Sequence, residues 1–289
     1  MAEVAVLTNP TAGKGRALRV RDEALPRLHG AGWRTRDLVG RDADEALDLA
    51  RAAVADGVDA LVVCGGDGLV NLGLQVVAGT EVPLGVLAAG TGNDLARTLG
   101  LPTKDGAAGA ARLLGWRPQR IDLARSGGSW FATVLAAGFD AVVNERANRM
   151  TWPRGQMRYN VATLAELRTF EPLHYVLDLD GREVQLEAML VAVGNGPSFG
   201  GGLRIAEGAL LDDGLLDVVV IRPMSKALLV RTYPRLFSGT HVGLPQFERH
   251  RVRRVTVASP GIVGYADGER FGALPLTVEC VPGAVRLLT

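Results

Sequence analysis

The sequence is short of everything that would commit it to a membrane, to nucleic acid or to an oxidising compartment. Among 289 residues there are two cysteines, and the net charge is +1. A charge so near zero gives no global field toward nucleic acid, so any such attraction must be local. Cys64 ends an apolar run and Cys280 lies in the strand-like "LTVEC". A pair so placed reads as buried thiols rather than a disulfide, which suits a reducing interior. No stretch reaches the ~18 apolar residues of a membrane span. The start, "MAEVAVLTNP", has one acid, no basic lead and too short an apolar run for a secretory leader. Low-complexity tracts and internal repeats are missing as well. These absences predict a cytoplasmic protein, at most peripheral to the inner face of the membrane, with no nucleic-acid partner. They leave the oligomeric state open.

What is present is a core: 47% of the residues are hydrophobic, and the length fits two modest domains. The first half alternates strand and helix patterns, as α/β layers do. "VAVLTNP" reads as a strand running into a turn, residues 16–31 as a helix, "RTRDLV" as a strand and "DADEALDLARAAVADG" as an amphipathic helix. "DALVVC" is a strand buried on both faces, followed by a helix over "LVNLGLQVVAG". "PLGVLAAG" is a further strand, and "GTGNDLARTLG" turns into another helix. The second half consists of strand-like runs: "SWFATVLAAGFDA", "HYVLDLDGREVQLEAMLVAVGNG", "LLDVVVIRP", "RRVTVAS" and "LTVECVPGAVRLL". Asp180-Gly181 between alternating runs signals a hairpin. Helices are expected only around 155–169 and 224–238. The expected organisation is an open, mostly parallel α/β domain over 1–122 and a mainly antiparallel β domain over 123–282. The last strand, 283–289, is expected to return to the first domain.

Three strand ends in the first half carry glycine-rich loops: "TNPTAGKG" (8–15), "CGGDG" (64–68) and "AAGTGND" (88–94). Ligands bind beyond the carboxyl ends of strands in an open parallel sheet, and glycine lets backbone approach phosphate closely. Two familiar phosphate signatures are missing. Lys14 is followed by Gly15 rather than Ser or Thr, which excludes a Walker loop. The G-x-G-x-x-G fingerprint fails at Asn71, Leu95 and Phe199, leaving a Rossmann domain as runner-up. Taken singly, each loop is equally well a tight turn before a helix, with Asp67 or Asn93 as its cap.

Taken together, "NPTAGKG", "GGDG", "GTGNDLAR", "GGGLRIAEGALLDDGLLDV" and "DGE" resemble the diacylglycerol kinase catalytic family. That family includes sphingosine and ceramide kinases and bacterial soluble lipid kinases. The resemblance runs in order along nearly the whole chain. It implies a nucleotide domain similar to those of NAD kinase and 6-phosphofructokinase, followed by a β-sandwich. It implies transfer of the γ-phosphate of ATP to a lipid hydroxyl, with diacylglycerol the first choice and phosphatidic acid the product. A carboxylate facing a triphosphate needs a cation between them, and Mg²⁺ takes one or two carboxylates plus phosphate oxygens. Asp67 fits that role, and the resemblance adds Asp94 and Asp122. It assigns nucleotide contact to Asn9, Pro10, Thr11, Ala12 and Gly13, to Gly65, Gly66, Asp67, Gly68 and Asn71, and to Gly90, Thr91, Gly92, Asn93 and Asp94. Lys14 is a further candidate.

Phosphoryl transfer to an alcohol also needs a group to take the hydroxyl proton. "YADGERFGALP" resembles the family's base loop, with Asp267 and Glu269 both candidates and Asp267 preferred. A polar hairpin turn is the plain alternative. "ALLDDGLLD" resembles a structural metal site whose ligands are the Leu210 carbonyl, the Asp213 side chain and the Leu215 carbonyl. The chain departs from the family at Leu69 and Leu72, where Thr or Ser and Glu are usual. Those departures motivate the rival reading of a catalytically degenerate nucleotide- or lipid-binding protein. A kinase of a sphingoid or small soluble alcohol is the other rival. Finally, residues 146–159 carry Arg146, Arg149, Arg154 and Arg158 among Met150, Trp152, Met157 and Tyr159, a composition suited to a peripheral membrane contact.

Overall fold

A computed structural model describes residues 2–115, 117–152, 161–162, 165–166 and 171–289. The first half runs β1 (Glu3–Thr8), α1 (Ala12–Gly30), β2 (Arg34–Leu38), α2 (Ala43–Ala55), β3 (Ala60–Gly65), α3 (Asp67–Val77), β4 (Leu84–Ala88), α4 (Asp94–Thr98) and α5 (Gly106–Leu114). Then come β5 (Pro118–Ser126), β6 (Ser129–Phe131), β7 (Val134–Gly138), α6 (Phe139–Arg149), β8 (Leu173–Leu179), β9 (Arg182–Ala188) and β10 (Leu190–Gly194). The chain ends with β11 (Leu216–Ile221), α7 (Lys226–Ser238), β12 (Phe247–Val252), β13 (Arg254–Ala258), β14 (Val263–Ala266), β15 (Glu269–Ala273) and β16 (Leu276–Leu288).

Strands β2-β1-β3-β4 pair in parallel. Alternate side chains on a strand point to opposite faces, and here both faces are covered. Val4, Val6, Ala60 and Val62 pack with Ala17, Val20, Ala24 and Leu28 of α1. Ala5, Leu7, Leu61 and Val63 pack with Ala50 and Ala53 of α2 and with Leu74 and Val77 of α3. Cys64 belongs to the α1 face and is buried, whereas Cys280 is half-buried; both are free thiols. Burial pushes each thiol up to about 12.

The parallel strands do not end as a separate sheet. β16, 13 residues long, pairs antiparallel with β13 at its start and parallel with β4 at Leu287 and Leu288. One sheet therefore passes from the α/β half into the β half, continuing through β13, β8 and β9. A second, antiparallel sheet has the order β12-β11-β10-β7-β14-β15. Tyr175, Leu177 and Val255 of the first sheet meet Leu135, Val191, Val193 and Val218 of the second in a sandwich core.

The hairpin at Asp180-Gly181 forms as expected, with φ 52° and 89° at its two central residues. The run "SWFATVLAAGFDA" divides differently. It gives β6 and β7, and then α6 from Phe139 onward. Its apolar residues are continuous, so the pattern alone carries no helix period to separate them. α5 likewise appears where no helix is expected, capped by the Asp105 carboxylate on the Ala108 N–H. The helix expected around 155–169 lies largely outside the described residues. Among the described residues no helix is long and apolar enough to cross a membrane.

Candidate active site

The three glycine-rich loops converge at the carboxyl ends of β1, β3 and β4, and glycine is what lets them touch. A Cβ on Gly90 would lie 2.5 Å from the Gly66 Cα, and one on Gly13 would lie 2.1 Å from the Ala89 carbonyl oxygen. Ala89 N–H and Gly90 N–H both donate to the Gly65 carbonyl, at 2.7 and 3.2 Å. In the first loop Asn9 Oδ1 accepts from the Thr11 N–H and hydroxyl at 3.0 and 2.8 Å. Asn9, Pro10, Thr11, Ala12 and Gly13 thus lie beside Gly65, Gly66, Gly68 and the Gly90–Asp94 segment in one cleft.

Asp67 is the first residue of α3, but it does not cap its own helix, whose cap is Gly66. Its carboxylate crosses to the next loop. Asp94 N–H donates to Oδ1 at 2.7 Å and Asn93 N–H donates to Oδ2 at 2.8 Å. Part of the answer to a negative charge in this loop is therefore structural: it holds the amino end of α4. Each Asp67 oxygen keeps a second lone pair, and the residue is only half-buried.

Asp94 faces the same spot. A Cβ on Gly92 would lie 2.5 Å from Asp67 Oδ2 and 3.3 Å from Asp94 Oδ2. Asp94 Oδ2 accepts the Gly201 N–H at 2.8 Å, while the buried Asp94 Oδ1 has no hydrogen-bond partner among the described residues. Burial pushes the Asp94 carboxyl above its ordinary range, and the Asp67 charge adds to this; the Gly201 and Gly202 N–H groups oppose it. A buried carboxylate oxygen without a donor costs free energy unless a cation or water meets it. Two carboxylates meeting at a glycine, one of them with its other oxygen buried and short of a donor, fit a hard divalent cation that keeps several waters.

The β14–β15 turn closes the cleft from the other half. Asp267 and Gly268 take left-handed φ of 50° and 86°, the turn that Asp-Gly favours. The two acids then part. Asp267 Oδ2 accepts from Asn71 Nδ2 at 3.0 Å and Ala132 N–H at 3.1 Å. Its Oδ1 accepts the Thr133 N–H at 2.9 Å and the Thr133 hydroxyl at 2.6 Å. Glu269 instead is exposed, and its carboxylate makes no hydrogen bond to a described residue; its Oε1 lies 3.3 Å from where a Gly68 Cβ would stand, over the amino end of α3. Asn71 braces this turn rather than facing the glycine loops. Its Nδ2 also donates to the Trp130 carbonyl at 3.2 Å, and its Oδ1 accepts from Gln75 at 3.2 Å.

Asp122 lies elsewhere. Its carboxylate is 4% exposed, and its oxygens accept the Gly214 N–H at 2.7 Å and the Gly283 N–H at 2.8 Å. The resemblance sets it beside Asp67 and Asp94; the fold ties it to the 210–215 turn and to the irregularity in β16. In that turn Asp213 Oδ1 accepts the Leu215 N–H at 3.1 Å, and its Oδ2 is taken by the Arg251 guanidinium. The Arg251 guanidinium thus pairs with the carboxylate that the resemblance assigns to a structural metal. Neighbouring Arg249 also turns inward, donating to Asp217 Oδ1 at 2.5 Å.

Sequence reasoning gave Gly200–Gly202 no role, although three glycines in a row were the signal. That loop brings Gly201 onto Asp94, and its flanking Phe199 and Leu203 line an apolar cavity of about 280 Å³. Phe139 and Val143 of α6, Met189, Ile221 of β11, and Leu229 and Tyr233 of α7 complete its wall.

This arrangement has relatives. The profile of the diacylglycerol kinase catalytic domain matches residues 3–126, and that of the YegS C-terminal NAD kinase β-sandwich-like domain matches 133–289. A "Diacylglycerol kinase" of Mycobacterium tuberculosis is 45% identical over 100% of this chain and 95% of its own length. The chain belongs to the diacylglycerol kinase family. A "Diacylglycerol kinase" of Bacillus subtilis is 27% identical over 95% of this chain and 92% of its own. A crystal structure of a diacylglycerol kinase from Bacillus anthracis shares the fold, with a TM-score of 0.78 at 24% identity over 99% of this chain and 96% of that one. Membership makes the chain a lipid kinase, and a kinase of this family takes ATP as co-substrate.

Proposed function

We propose that the protein transfers the γ-phosphate of ATP to the free hydroxyl of diacylglycerol, giving phosphatidic acid. The observation that carries this reading is the 199–203 loop. Gly201 touches Asp94 while Phe199 and Leu203, on either side, line the apolar cavity. An acyl chain in the cavity thus brings its hydroxyl toward the acidic cluster. Thr232, 3% exposed, lines the same cavity, and its hydroxyl has no partner among the described residues. A wall that is almost wholly apolar suits an acyl chain.

The nucleotide lies on the loops containing Asn9–Gly13, Gly65–Gly68 and Gly90–Asp94, with its phosphates at the amino end of α3. Asp67 and Asp94 hold Mg²⁺, which when bound neutralises phosphate charge. Glu269 takes the hydroxyl proton on Oε1, because its carboxylate is the unengaged one of the pair. Asp267, with four hydrogen bonds to Asn71, Ala132 and Thr133, positions the turn that carries it. Leu69 does not weaken this reading. It is 8% exposed and packs under Gly65, facing the core rather than the cleft. Peripheral membrane contact belongs to the same reading. Trp152 is 80% exposed, although Arg146 and Arg149 are partly compensated by Glu166 and Glu145; residues 153–160 lie outside the described residues.

The test is transfer from radiolabelled ATP to a panel of diacylglycerol, a sphingoid base and glycerol in mixed micelles. Label is expected in phosphatidic acid. Label in another acceptor alone, or in none, overturns the assignment.

A further inference from the structure

The hairpin that carries Asp267 and Glu269 forms one edge of its sheet, since β15 stands beyond β14 at the end of the strand order. Alternate residues of a strand point to opposite faces. Glu269 and Phe271 therefore point one way, the first toward Gly68 and the second onto Phe131, whose ring it meets edge to face at 5.6 Å. Arg270 points the other way, beside its cross-strand partner Tyr265. α6 lies on that side, and there one carboxylate meets both strands. Glu145 Oε1 accepts from the Tyr265 hydroxyl at 2.8 Å and from Arg270 Nε at 3.1 Å. Glu145 Oε2 lies 3.4 Å from Arg149 Nη2, one turn further along α6. The Tyr265 hydroxyl, with Arg270 and Arg149, holds the Glu145 carboxyl below its ordinary range against the opposing effect of burial, so it stays ionised at neutral pH.

From this we infer that Glu145 is a positioning residue for phosphoryl transfer: it clasps the β14–β15 hairpin to α6 and so fixes the acids of the turn against the acceptor. The inference rests on the proposed function for the role of Glu269. Asp267 ties the inner side of the turn to Ala132 and Thr133, and Glu145 ties the outer side of its two strands. The clasp is shielded from water, with Tyr265 4% and the Glu145 side chain 27% exposed, so its hydrogen bonds hold better than those of a surface ion pair. Its anchor also has meaning for the substrate. α6 walls the apolar cavity through Phe139 and Val143, while Glu145 does not line it. The acceptor chain and the base are thus referred to one helix. Catalytic groups need such a frame, because a misplacement of about 1 Å can cost ~10²-fold in rate.

The experiment is a double-mutant cycle read in kcat, with transfer from radiolabelled ATP to diacylglycerol in mixed micelles. Glu145→Ala should lower kcat roughly 10- to 100-fold. The KM for ATP and for diacylglycerol should not change, since Glu145 lies on the far face of the hairpin from Gly68 and outside the cavity wall. Glu145→Gln keeps an acceptor for the Tyr265 hydroxyl and should recover part of the loss. Added to Glu269→Gln, Glu145→Ala should cost little more, because no base is left to misplace. Losses that multiply, or an unchanged kcat in a folded Glu145→Ala protein, overturn the inference and leave Glu145 a brace of stability. If Glu145→Ala does not fold, Tyr265→Phe removes one arm of the clasp at nearly constant shape and takes its place in the cycle. Hydrogen exchange of the 266–271 backbone amides reads the clasp without catalysis. It should quicken in Glu145→Ala while exchange in β1 and β3 stays slow, and equal exchange overturns the inference. Should Glu269→Gln keep full turnover, the base assignment fails by itself and the cycle is repeated on Asp267→Asn; coupling there sustains the inference and its absence overturns it. Should diacylglycerol not be phosphorylated at all, the kinase reading falls and the amide exchange alone decides whether Glu145 holds the turn.

Discussion

Two sets of carboxylates in this molecule carry the same sequence-level expectation and receive opposite treatment from the fold. At the glycine loops, Asp94 keeps a buried oxygen without a donor and Glu269 keeps both oxygens unengaged above α3. At the seam where β5 and β16 meet the 210–215 turn, Asp122 accepts hydrogen bonds on both oxygens and Asp213 is divided between Leu215 and Arg251; in the β14–β15 turn Asp267 likewise accepts on both oxygens. The lesson is one of supply. A carboxylate already satisfied by N–H donors fixes backbone, whereas one left short of donors is available to a cation, a phosphate or a proton. Asp67 stands between the sets, since it holds Asn93 and Asp94 yet remains open to the cleft.

The largest expected effect separates the two acids of the turn. Glu269→Gln should lower kcat by about 10²–10⁴, the range of a lost general base, with the melting temperature and ATP binding unchanged. Asp267→Asn should act mainly on stability, because an amide nitrogen at either oxygen position would face a backbone N–H, of Thr133 or of Ala132, that it cannot accept. Its turnover, measured below its melting temperature, should fall less than that of Glu269→Gln. The reverse order of severity in kcat would break the division between the two acids.

Next comes the same contrast across the molecule. Asp67→Asn and Asp94→Asn should each cost roughly 10²-fold or more in kcat. Asp122→Asn should leave kcat near normal and cost about 1.5–3 kcal/mol in urea unfolding, the value of hydrogen bonds to a charged group. A folded, stable Asp122→Asn protein without turnover would return Asp122 to the cleft and dissolve the comparison.

Much of this fold is readable in the sequence because its periods are clean. β1 and β3 are buried on both faces, and Asp180-Gly181 sits between alternating strands. The meeting of three glycine loops is readable as well, since their glycines are required by contact. The hidden parts depend on distance in sequence. That Asp267 would find Asn71 and Thr133, 196 and 134 residues away, is a property of sheet order and not of the "DGE" motif. The cavity is assembled from α6, β11, α7 and the Gly200–Gly202 loop, none of which is a pocket by itself. α6 escaped notice because its first turn continues the apolar run of β7.

The smallest effect tests whether the seam holds an ion. Asp213 and Arg251 are partly exposed, at 18% and 45%, and a pair so open contributes about 0.2–1 kcal/mol. Without nucleotide, the melting temperature of the unmodified protein should therefore be the same in Mg²⁺ and in chelator. Arg251→Ala should lower stability by less than about 1 kcal/mol and leave Asp213 Oδ2 without its cation. The Leu210 and Leu215 carbonyls could then share a hard ion with Asp213, so stability in the variant should rise when Mg²⁺ or Ca²⁺ is added. That gain should vanish in Arg251→Ala/Asp213→Asn. If the unmodified protein melts lower in chelator and Asp213→Asn abolishes that difference, the turn holds a metal despite Arg251. The distinction between satisfied and unsatisfied carboxylates would then stop at the cleft.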